Sequence, residues 1–383
     1  MSGEGDGWMR RALALGWSAA GRTSPNPAVG AVLVRGGEAV GEGATQPPGG
    51  AHAEIMALRQ AGRAARGATL YVTLEPCSHH GRTPPCTDAL VAAGVGAVHY
   101  AVADPNPLVA GRGRQALQAA GITVVAGECA SEAAWAHEAF FTYITRGRPF
   151  VIAKWAMSLD GKIATRTGDS RWISGAAARR RVHQLRDTVD AICAGSGAVL
   201  ADDPALTTRL EGAVAVHHPL RVVLDARGRT PLNAQVLSGA LPGRTLVATT
   251  QEAPRTWRAA VAEKGSELLL LPPSVTSGLT GGVDLATLLA DLGRRGCTSL
   301  LVEGGGTVLA SFFTAGLVDK ALVFLAPLVI GGQYAPSPVQ GIGVDLLRQA
   351  GRWRIAGTDA CAPDVLVTAY PIRPDEGPPA VAP

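Results

Sequence analysis

Two short motifs that carry metal-ligating side chains constrain this chain more than any other feature. His52 lies two residues before Glu54, and eight residues separate Cys77 from Cys86. An imidazole and two thiolates are donors that zinc prefers, and a catalytic zinc site keeps its fourth position for water. The fold must therefore bring three distant segments together. We predict His52, Cys77 and Cys86 as the zinc ligands, with Glu54 left unligated.

The local patterns place these residues at the ends of secondary-structure elements. A Pro-Pro-Gly-Gly breaker precedes a helix predicted over 51–65, so His52 and Glu54 fall in its first turn. Cys77 follows a predicted strand, and a Thr-Pro-Pro sequence favours a helix that begins at Cys86. The helix dipole lowers the pKa of a thiol in the first turn, which favours the thiolate that zinc binds.

A histidine, a glutamate two residues later, and Pro-Cys with a second cysteine form the signature of zinc-dependent nucleobase deaminases. In such sites zinc lowers the pKa of a bound water to roughly 7, and the glutamate relays protons to the departing amine. The usual spacing between the two cysteines is two residues, so this chain carries a variant. A histidine at a helix start is usually a cap or a surface residue, and two cysteines at this spacing are usually unrelated. The prediction therefore depends on their joint occurrence.

Composition favours a soluble, globular chain of two domains. The 383 residues are 47% hydrophobic and 17% charged, which excludes a disordered chain. We expect no signal peptide and no transmembrane helix, because the first residues are polar and acidic and no apolar stretch is long enough. Six cysteines do not suggest a disulfide framework in a chain of this length. Cytoplasmic localisation is the expectation.

The charge pattern gives little support for nucleic-acid binding. The net charge is +4 and the basic residues are dispersed. The one dense run, Arg179-Arg180-Arg181, lies in a predicted helix and is typical of a solvated face. We therefore expect a small-molecule substrate, with neither nucleic acid nor a membrane as partner, and the sequence is compatible with a homo-oligomer.

Helices and strands alternate along both halves, which predicts α/β folds with mostly parallel sheets. A Gly and a Pro after residue 145 mark a boundary, giving domains over 1–147 and 148–373 and a loose, proline-rich tail over 374–383. Helices are predicted over 9–20, 51–65, 86–93, 114–120, 176–187, 255–264, 285–294 and 307–315, and a long helix that ends at residue 145 is predicted after the strand over 122–126. Strands are predicted over 28–34 with a hairpin partner, and over 68–74, 97–103, 122–126, 150–155, 191–194, 221–225, 245–249, 267–271, 299–303, 321–325 and 365–370.

The first half resembles the deaminase half of the bifunctional riboflavin biosynthesis deaminase/reductase family. The resemblance is carried by His-Ala-Glu at 52–54, by Pro-Cys-Ser-His-His-Gly-Arg-Thr-Pro-Pro-Cys at 76–86, and by Thr-Ser-Pro-Asn-Pro-Ala-Val-Gly at 23–30. The long interval between the cysteines separates this family from cytidine and tRNA-adenosine deaminases. The resemblance implies that Asn26 faces the substrate base. Thr45 stands where the family usually has a histidine.

The second half resembles the reductase half of the same family, which has a dihydrofolate-reductase-like fold. The matching segments are 154–164, 170–174, 199–207, 221–225 and 302–307. The resemblance implies NADPH as cofactor, with contacts from Ala156, Trp172, Ala198, Asp202, Gly305, Gly306, Thr307, Val308 and Leu309. It implies substrate contacts from Ser170, Arg186, Leu206, Arg209 and Glu303.

Physical reasoning agrees with the resemblance at the glycine-rich segment 304–306. These glycines lie between a predicted strand and a predicted helix, where free backbone amides and the helix dipole suit a pyrophosphate. Guanidinium groups such as Arg186 and Arg209 bind phosphate in a bidentate manner. We reject a Rossmann motif at Gly195-Ser196-Gly197, because Leu200 stands in the place of the third glycine and Asp225 lies farther along the chain than the motif's acidic residue.

The sequence thus predicts a cytidine-deaminase-like α/β/α domain with a mixed sheet, followed by a dihydrofolate-reductase-like α/β domain. The predicted function is zinc-dependent deamination of a diaminopyrimidinone ribosyl phosphate, followed by NADPH-dependent reduction of its ribosyl group. A nucleoside or nucleic-acid deaminase fused to an unrelated oxidoreductase remains an alternative. A structural zinc with a binding module is a second, but structural zinc usually has four protein ligands. His79 and His80 stay open between a role beside the site and plain exposure.

Overall fold

The computed structural model of this protein describes residues 2–79, 84–106, 110–213, 215–274 and 282–373. The chain divides into two compact units, one that runs to Gly147 and one that begins at Arg148. Gly147 ends the last helix of the first unit with a left-handed φ of 65°, a conformation that glycine adopts without strain. The tail predicted over 374–383 lies outside the described residues. No helix in the described part of the chain has the length and apolar character needed to cross a membrane.

The first unit contains helices and strands in alternation after an opening helix and hairpin. Its helices are α1 (Ser2–Ala19), α2 (Ala53–Ala61), α3 (Cys86–Ala93), α4 (Arg112–Ala119), α5 (Ala130–Ala136) and α6 (Glu138–Arg146), with a 3-10 turn at Gly62–Ala65. Its strands are β1 (Gly30–Arg35), β2 (Glu38–Ala44), β3 (Thr69–Leu74), β4 (Ala97–Val102) and β5 (Thr123–Ala126).

These strands form one mixed sheet in the order β2-β1-β3-β4-β5. Strand β1 runs antiparallel to β2 and β3, whereas β3, β4 and β5 are parallel. The side chains of β1 alternate between two cores: Ala31 and Leu33 pack with α2, α3 and α4, and Val32 and Val34 pack with α1 and α5. This two-residue period covers both faces of the sheet with helices. The predicted three-layer domain with a mixed sheet is confirmed.

The helix predicted up to residue 145 is divided in the structure. Helix α5 ends at Ala136 and α6 begins at Glu138, with His137 between them at φ −104° and ψ 8°. The His137 ring is buried, and its Nε2 lies 3.0 Å from the hydroxyl of Thr73 on β3. Burial lowers the pKa of His137 to about 4, so the ring is neutral near pH 7. A polar tether to the sheet therefore interrupts a segment that has the composition of one helix.

The second unit is built on a larger sheet. Its helices are α7 (Ala176–Thr188), α8 (Ser196–Asp202), α9 (Arg255–Glu263), α10 (Leu285–Arg294) and α11 (Gly306–Thr314), with 3-10 turns at Gln235–Leu237 and Leu347–Gln349. Its strands are β6 (Phe150–Ser158), β7 (Ala191–Gly195), β8 (Leu220–Leu224), β9 (Thr245–Thr249), β10 (Glu267–Leu270), β11 (Ser299–Val302), β12 (Lys320–Ala326), β13 (Trp353–Cys361) and β14 (Asp364–Pro371).

The strand order is β10-β9-β8-β7-β11-β6-β12-β14-β13, parallel from β10 to β12 and antiparallel for the last two strands. Strand β13 was not predicted. It is an edge strand without a regular apolar alternation, and its register shifts between Ile355 and Gly357. In open parallel sheets, ligands bind in the crevice beyond the carboxyl ends of the strands. The loops after β7, β8 and β11 lie at that edge.

A buried aspartate joins the beginning and the end of the second unit. Asp319, just before β12, accepts hydrogen bonds from Arg148 at 2.6 and 2.8 Å, from Arg373 at 2.7 Å, and from the amide of Val151 at 2.9 Å. Its side chain is 3% exposed. Burial alone would raise the pKa of Asp319, but Arg148 and Arg373 outweigh it and hold that pKa below its usual range.

We expect Asp319→Ala to lower the free energy of unfolding of the second unit by about 3–5 kcal/mol, because it leaves two partly buried arginines and the buried amide of Val151 without their partner. The stabilisation is present at neutral pH and is lost as the pH falls through the lowered pKa. Urea denaturation followed by circular dichroism measures both effects. Asp359→Ala, at an exposed position on β13, is the matched control. Equal stabilities for the two variants would contradict the proposed clamp.

Candidate active sites

Three loops of the first unit leave the sheet at one edge because of the strand register. Gly30 at the start of β1 pairs with Ala44 at the end of β2. The amide of Gly30 also donates to the hydroxyl of Thr73, near the end of β3, at 3.2 Å. The segment that leads into β1 and the segments that follow β2 and β3 therefore lie side by side. Asn26, Thr45 and Cys77 lie in these three segments.

Glycines in β2 bring helix α2 unusually close to the sheet. A Cβ built on Gly43 would lie 2.2 Å from the carbonyl oxygen of Ala53, and one on Gly41 would lie 2.2 Å from that of Ala57. Any larger residue would push the helix away. This close packing fixes the first turn of α2 against the end of β2. His52, the residue that precedes α2, is thereby held at the same edge as Cys77.

The first turn of α3 holds the second and third donors together. The amide of Cys86 donates to the sulfur of Cys77 at 3.3 Å, and the amide of Thr87 donates to the carbonyl of Cys77 at 3.2 Å. Unpaired amides at a helix start bind anionic groups such as a thiolate. The helix start predicted at Cys86 thus serves both cysteines.

The three donor atoms fit a zinc ion. Nδ1 of His52 lies 3.6 Å from Sγ of Cys77 and 3.3 Å from Sγ of Cys86, and all three atoms lie within 4.8 Å of one another. Zn–S and Zn–N bonds of roughly 2.3 and 2.0 Å in a tetrahedron separate the nitrogen from each sulfur by roughly 3.6 Å. The donor set is therefore complete for three protein ligands and an open fourth position.

The protonation of the two thiols is coupled. A hydrogen bond from the side chain of Cys86, together with His52, lowers the pKa of the Cys77 thiol to about 4. The same contact with Cys77, together with burial and the nearby Glu54, raises the pKa of Cys86. Hydrogen bonding to Cys77 raises the pKa of His52. One thiolate and one thiol thus share the proton that a bound cation would displace.

Glu54 lies in the first turn of α2 beside the three donors. It is 4% exposed, and burial, reinforced by the negative charge of Cys77, raises its pKa to about 7. A carboxyl group with such a pKa exchanges a proton readily near neutral pH. It is not among the residues whose ligand atoms converge on the candidate metal position.

Two residues that the sequence reasoning missed brace Cys77 from the other side. The buried carboxylate of Glu75 accepts hydrogen bonds at 3.0 Å from the amides of Gly111 and Arg114 at the start of α4. A Cβ on Gly113 would lie 2.1 Å from the carbonyl oxygen of Pro76. The start of α4 therefore sets the position of the loop that carries Cys77. A glutamate directly before Pro-Cys was the available sequence signal.

The remaining predicted residues of this half lie near the same edge of the sheet or outside the residues that the structure describes. Asn26 is half-buried in a turn, and its backbone amide donates to the carbonyl of Thr23 at 2.9 Å. Thr45 is buried, and its hydroxyl accepts the amide of Val29 at 3.2 Å. The hydroxyl of Thr45 is thus engaged with the backbone of Val29. His79 is half-buried, and His80 lies outside the described residues.

The second unit has a cleft of about 580 Å³ at the carboxyl edge of its parallel strands, a size typical of a small-molecule site. Seven residues predicted to contact cofactor or substrate line it: Ser170, Ala198, Asp202, Gly305, Gly306, Thr307 and Val308. Gly306 begins α11, and a Cβ there would lie 2.5 Å from the side chain of Gln340. The helix start at Gly305 and Gly306 thus lies in the lining of the cleft, and the unpaired amides of a helix start suit a pyrophosphate.

Three predicted cofactor contacts lie apart from the lining of this cleft. Ala156 is half-buried on β6. Trp172 is 69% exposed, with the guanidinium of Arg179 4.6 Å from its ring centre. Leu309 is 1% exposed and packs in the core, so only its backbone is available to a ligand.

Glu303, directly after β11, is the centre of a buried ion cluster. Its carboxylate accepts two hydrogen bonds from Arg186, at 2.8 and 3.0 Å, and one from Lys154 at 3.0 Å. Burial alone would raise the pKa of Glu303, but the two cations hold it well below its usual range. Arg186 also donates to the carbonyl of Thr207 at 3.0 Å. Two residues predicted to contact substrate are thus tied to each other.

Arg209 differs from Arg186 because its side chain is exposed. Its backbone amide donates to Nδ1 of His183 at 3.2 Å. Burial, with the charges of Arg186 and Arg209, lowers the pKa of His183 to about 4, so the neutral ring accepts this bond near pH 7. Leu206, three residues earlier, is buried with a φ of 51°. The segment after α8 therefore presents the Arg209 guanidinium to solvent.

Comparison with known proteins gives matches to both halves. A family model for the RibD C-terminal domain matches residues 149–367, and one for the cytidine and deoxycytidylate deaminase zinc-binding region matches residues 4–102. The riboflavin biosynthesis protein RibD of Escherichia coli (strain K12) is 42% identical over 373 residues, covering 94% of this chain and 97% of that protein. The chain belongs to the RibD family. The family predicted from the motifs is confirmed.

Other relatives also match along nearly the whole length. RibD of Actinobacillus pleuropneumoniae is 41% identical over 367 residues, covering 96% of this chain and 95% of that protein. A structure of RibD from Acinetobacter baumannii has a TM-score of 0.85 and 37% identity, covering 97% of this chain and 100% of that one. A Thermotoga maritima structure described as a diaminohydroxyphosphoribosylaminopyrimidine deaminase/5-amino-6-(5-phosphoribosylamino)uracil reductase has a TM-score of 0.82 and 34% identity, covering 96% of this chain and 99% of that one. Because both halves match one family along nearly its whole length, the alternative of a nucleoside or nucleic-acid deaminase fused to an unrelated oxidoreductase is excluded.

We expect Gly113→Ala to weaken zinc binding about 10- to 100-fold, the usual effect of displacing groups that orient metal ligands. The added Cβ would press on the carbonyl of Pro76 and move Cys77. Competition with a chromophoric chelator measures the affinity. Gly7→Ala on α1 is the matched control, because a Cβ there meets no atom within 4 Å. If both variants bound zinc as tightly as the wild type, the start of α4 would not position Cys77.

Proposed function

We propose that the chain catalyses two successive reactions on one phosphorylated pyrimidine. The first unit would deaminate 2,5-diamino-6-(5-phosphoribosylamino)pyrimidin-4(3H)-one to 5-amino-6-(5-phosphoribosylamino)uracil by zinc-dependent hydrolysis. The second unit would then reduce the ribosyl group to ribityl with NADPH. The observation that carries this proposal is the convergence of His52, Cys77 and Cys86 within 4.8 Å beside the buried Glu54. The family relationship supplies the substrate.

In the deaminase unit, His52, Cys77 and Cys86 would hold the zinc ion. When bound, zinc with three protein ligands lowers the pKa of a water at the fourth position. Glu54 would accept a proton from the water that is added at C2 of the pyrimidinone, and would deliver protons to the ring nitrogen and the departing amine. Its burial excludes competing solvent. Asn26, at the same sheet edge, would orient the base through its side-chain amide.

In the reductase unit, the lining of the cleft would hold NADPH, which supplies hydride to C1′ of the ribosyl group. The backbone of 305–309 would bind the pyrophosphate, with Ala198, Asp202, Ala156 and Trp172 along the rest of the cofactor. The helix fixes the amide donors at the start of α11, so the protein mainly orients the cofactor and the substrate.

The reductase substrate would lie beside the Glu303 cluster. Because Arg186 is engaged by Glu303 and Thr207, we assign the phosphate to the exposed guanidinium of Arg209. Arg186 and Lys154 would instead keep Glu303 ionised as a hydrogen-bond acceptor for substrate hydroxyls. Ser170 and Leu206 would complete the contacts.

The finer context of the enzyme is also a proposal. We infer a cytoplasmic enzyme with domains over 1–147 and 148–373, which acts on a small molecule rather than on nucleic acid and is able to form homo-oligomers. None of the six cysteines forms a disulfide, as expected in a reducing compartment.

The first test is Glu54→Gln. We expect the variant to keep its zinc and its fold but to release ammonia from the diaminopyrimidinone about 10²- to 10⁴-fold more slowly, since the amide cannot relay protons. It should still oxidise NADPH when given the deaminated intermediate. Metal analysis, ammonia release and absorbance of NADPH measure the three properties. Glu38→Gln, at an exposed position on β2, is the control, and unimpaired deamination by Glu54→Gln would refute its role.

The second test is Arg209→Met. We expect the KM for the deaminated substrate to rise about 10- to 100-fold, because a charge-assisted bond to phosphate is lost, with deamination unchanged. Arg180→Met, on the exposed face of α7, is the control. A substrate analogue without the phosphate should bind both variants and the wild type equally. An unchanged KM in Arg209→Met would assign the phosphate to another group.

A further inference from the structure

Two arginines that no motif singled out line the reductase cleft. Arg227 and Arg229 lie in the loop after β8, and among the described residues that line the cleft they are the cations. We propose that Arg227 and Arg229 bind the 2′-phosphate of NADPH and thereby make the cleft select NADPH over NADH. This inference rests on the proposed reductase function, and it names the group that decides which nicotinamide cofactor is used.

The strand order puts these arginines at a suitable distance from the glycine loop. Strand β7 lies between β11 and β8 in the sheet, so the carboxyl ends of β11 and β8 are roughly 10 Å apart at the usual spacing of strands. The pyrophosphate would sit at the start of α11, beyond β11. The 2′-phosphate is one ribose away from the pyrophosphate, which allows it to reach the loop beyond β8.

The loop that carries the two arginines is held in one conformation. The amide of Thr230 donates to the carboxylate of the buried Asp225 at 2.6 Å, and the indole of Trp257 donates to the carbonyl of Thr230 at 2.9 Å. Gly228, between the arginines, has a φ of 71°, and a Cβ there would lie 2.9 Å from the Trp257 ring. A loop fixed on both sides can present two guanidinium groups without a large loss of backbone entropy on binding.

The present contacts of the two arginines are compatible with a phosphate ligand. Arg229 donates from Nη2 to the hydroxyl of Ser196 at 2.9 Å, which orients a group that has five N–H donors in all. Arg227 pairs with Glu252 at 3.3 Å, with both side chains more than half exposed. Such exposed pairs are weak. A phosphate dianion can therefore compete for Arg227, whereas the neutral 2′-hydroxyl of NADH offers no comparable partner.

The test compares binding of two fragments of the cofactor to the full chain by isothermal titration calorimetry. The probes are 2′,5′-ADP and 5′-AMP, which differ only in the 2′-phosphate. We expect the wild type to bind 2′,5′-ADP more tightly than 5′-AMP, and Arg229→Met or Arg227→Met to reduce that preference about 10- to 100-fold through weaker binding of 2′,5′-ADP alone. Arg348→Met, at an exposed position in the same unit, is the control.

Steady-state kinetics with the deaminated intermediate give the second readout. The arginine variants should show a raised KM for NADPH, an unchanged KM for NADH and an unchanged kcat. If the variants kept the wild-type preference for 2′,5′-ADP, or if the wild type had none, the inference would be wrong while the proposed reductase function stood. If the wild type reduced the intermediate with neither cofactor and bound neither fragment, the proposed reductase function itself would fail.

Discussion

The deaminase unit depends on a single geometric constraint: three donor atoms from distant segments must lie within 4.8 Å of one another. Antiparallel pairing of β1 with β2 and β3 places the start of β1 beside the ends of β2 and β3 at one edge of the sheet. The glycines of β2 then let α2 pack against the strand backbone, and the first amides of α3 bind Cys77. Each of these features has an independent local cause. Together they leave room for one tetrahedral cation and for one buried carboxylate beside it.

The candidate site of the second unit lies at the carboxyl ends of parallel strands. These strands end in a crevice, where the loops after β7 and β11 supply small residues and the loop after β8 supplies two arginines. Glu303 lies directly after β11, and its negative charge is balanced by Arg186 and Lys154 rather than by solvent. Removing both cations would leave the buried charge of Glu303 uncompensated. The cluster therefore keeps the carboxylate ionised next to the glycine loop.

The metal-ligand motif and the family could be predicted from the sequence because their spacing is specific. Periodicity also predicted most elements, since strands such as β1 and helices such as α10 have regular apolar patterns. It did not predict that His137 divides α5 from α6, because the cause is a tether to Thr73 on a distant strand. Strand β13 was missed because an edge strand has no fully buried face to impose alternation. The roles of Glu75, Gly113, Arg227 and Arg229 depend on tertiary contacts that no local pattern reveals.

The central claim is that His52, Cys77 and Cys86 form a three-ligand zinc site with an open position. X-ray absorption spectroscopy at the zinc edge of the purified protein tests it most directly. The account predicts one zinc per chain, bound by two sulfur atoms at roughly 2.3 Å and by two lighter atoms at roughly 2.0–2.1 Å, one from His52 and one from water. A protein without zinc, or a zinc bound by more than two sulfur atoms, would contradict it.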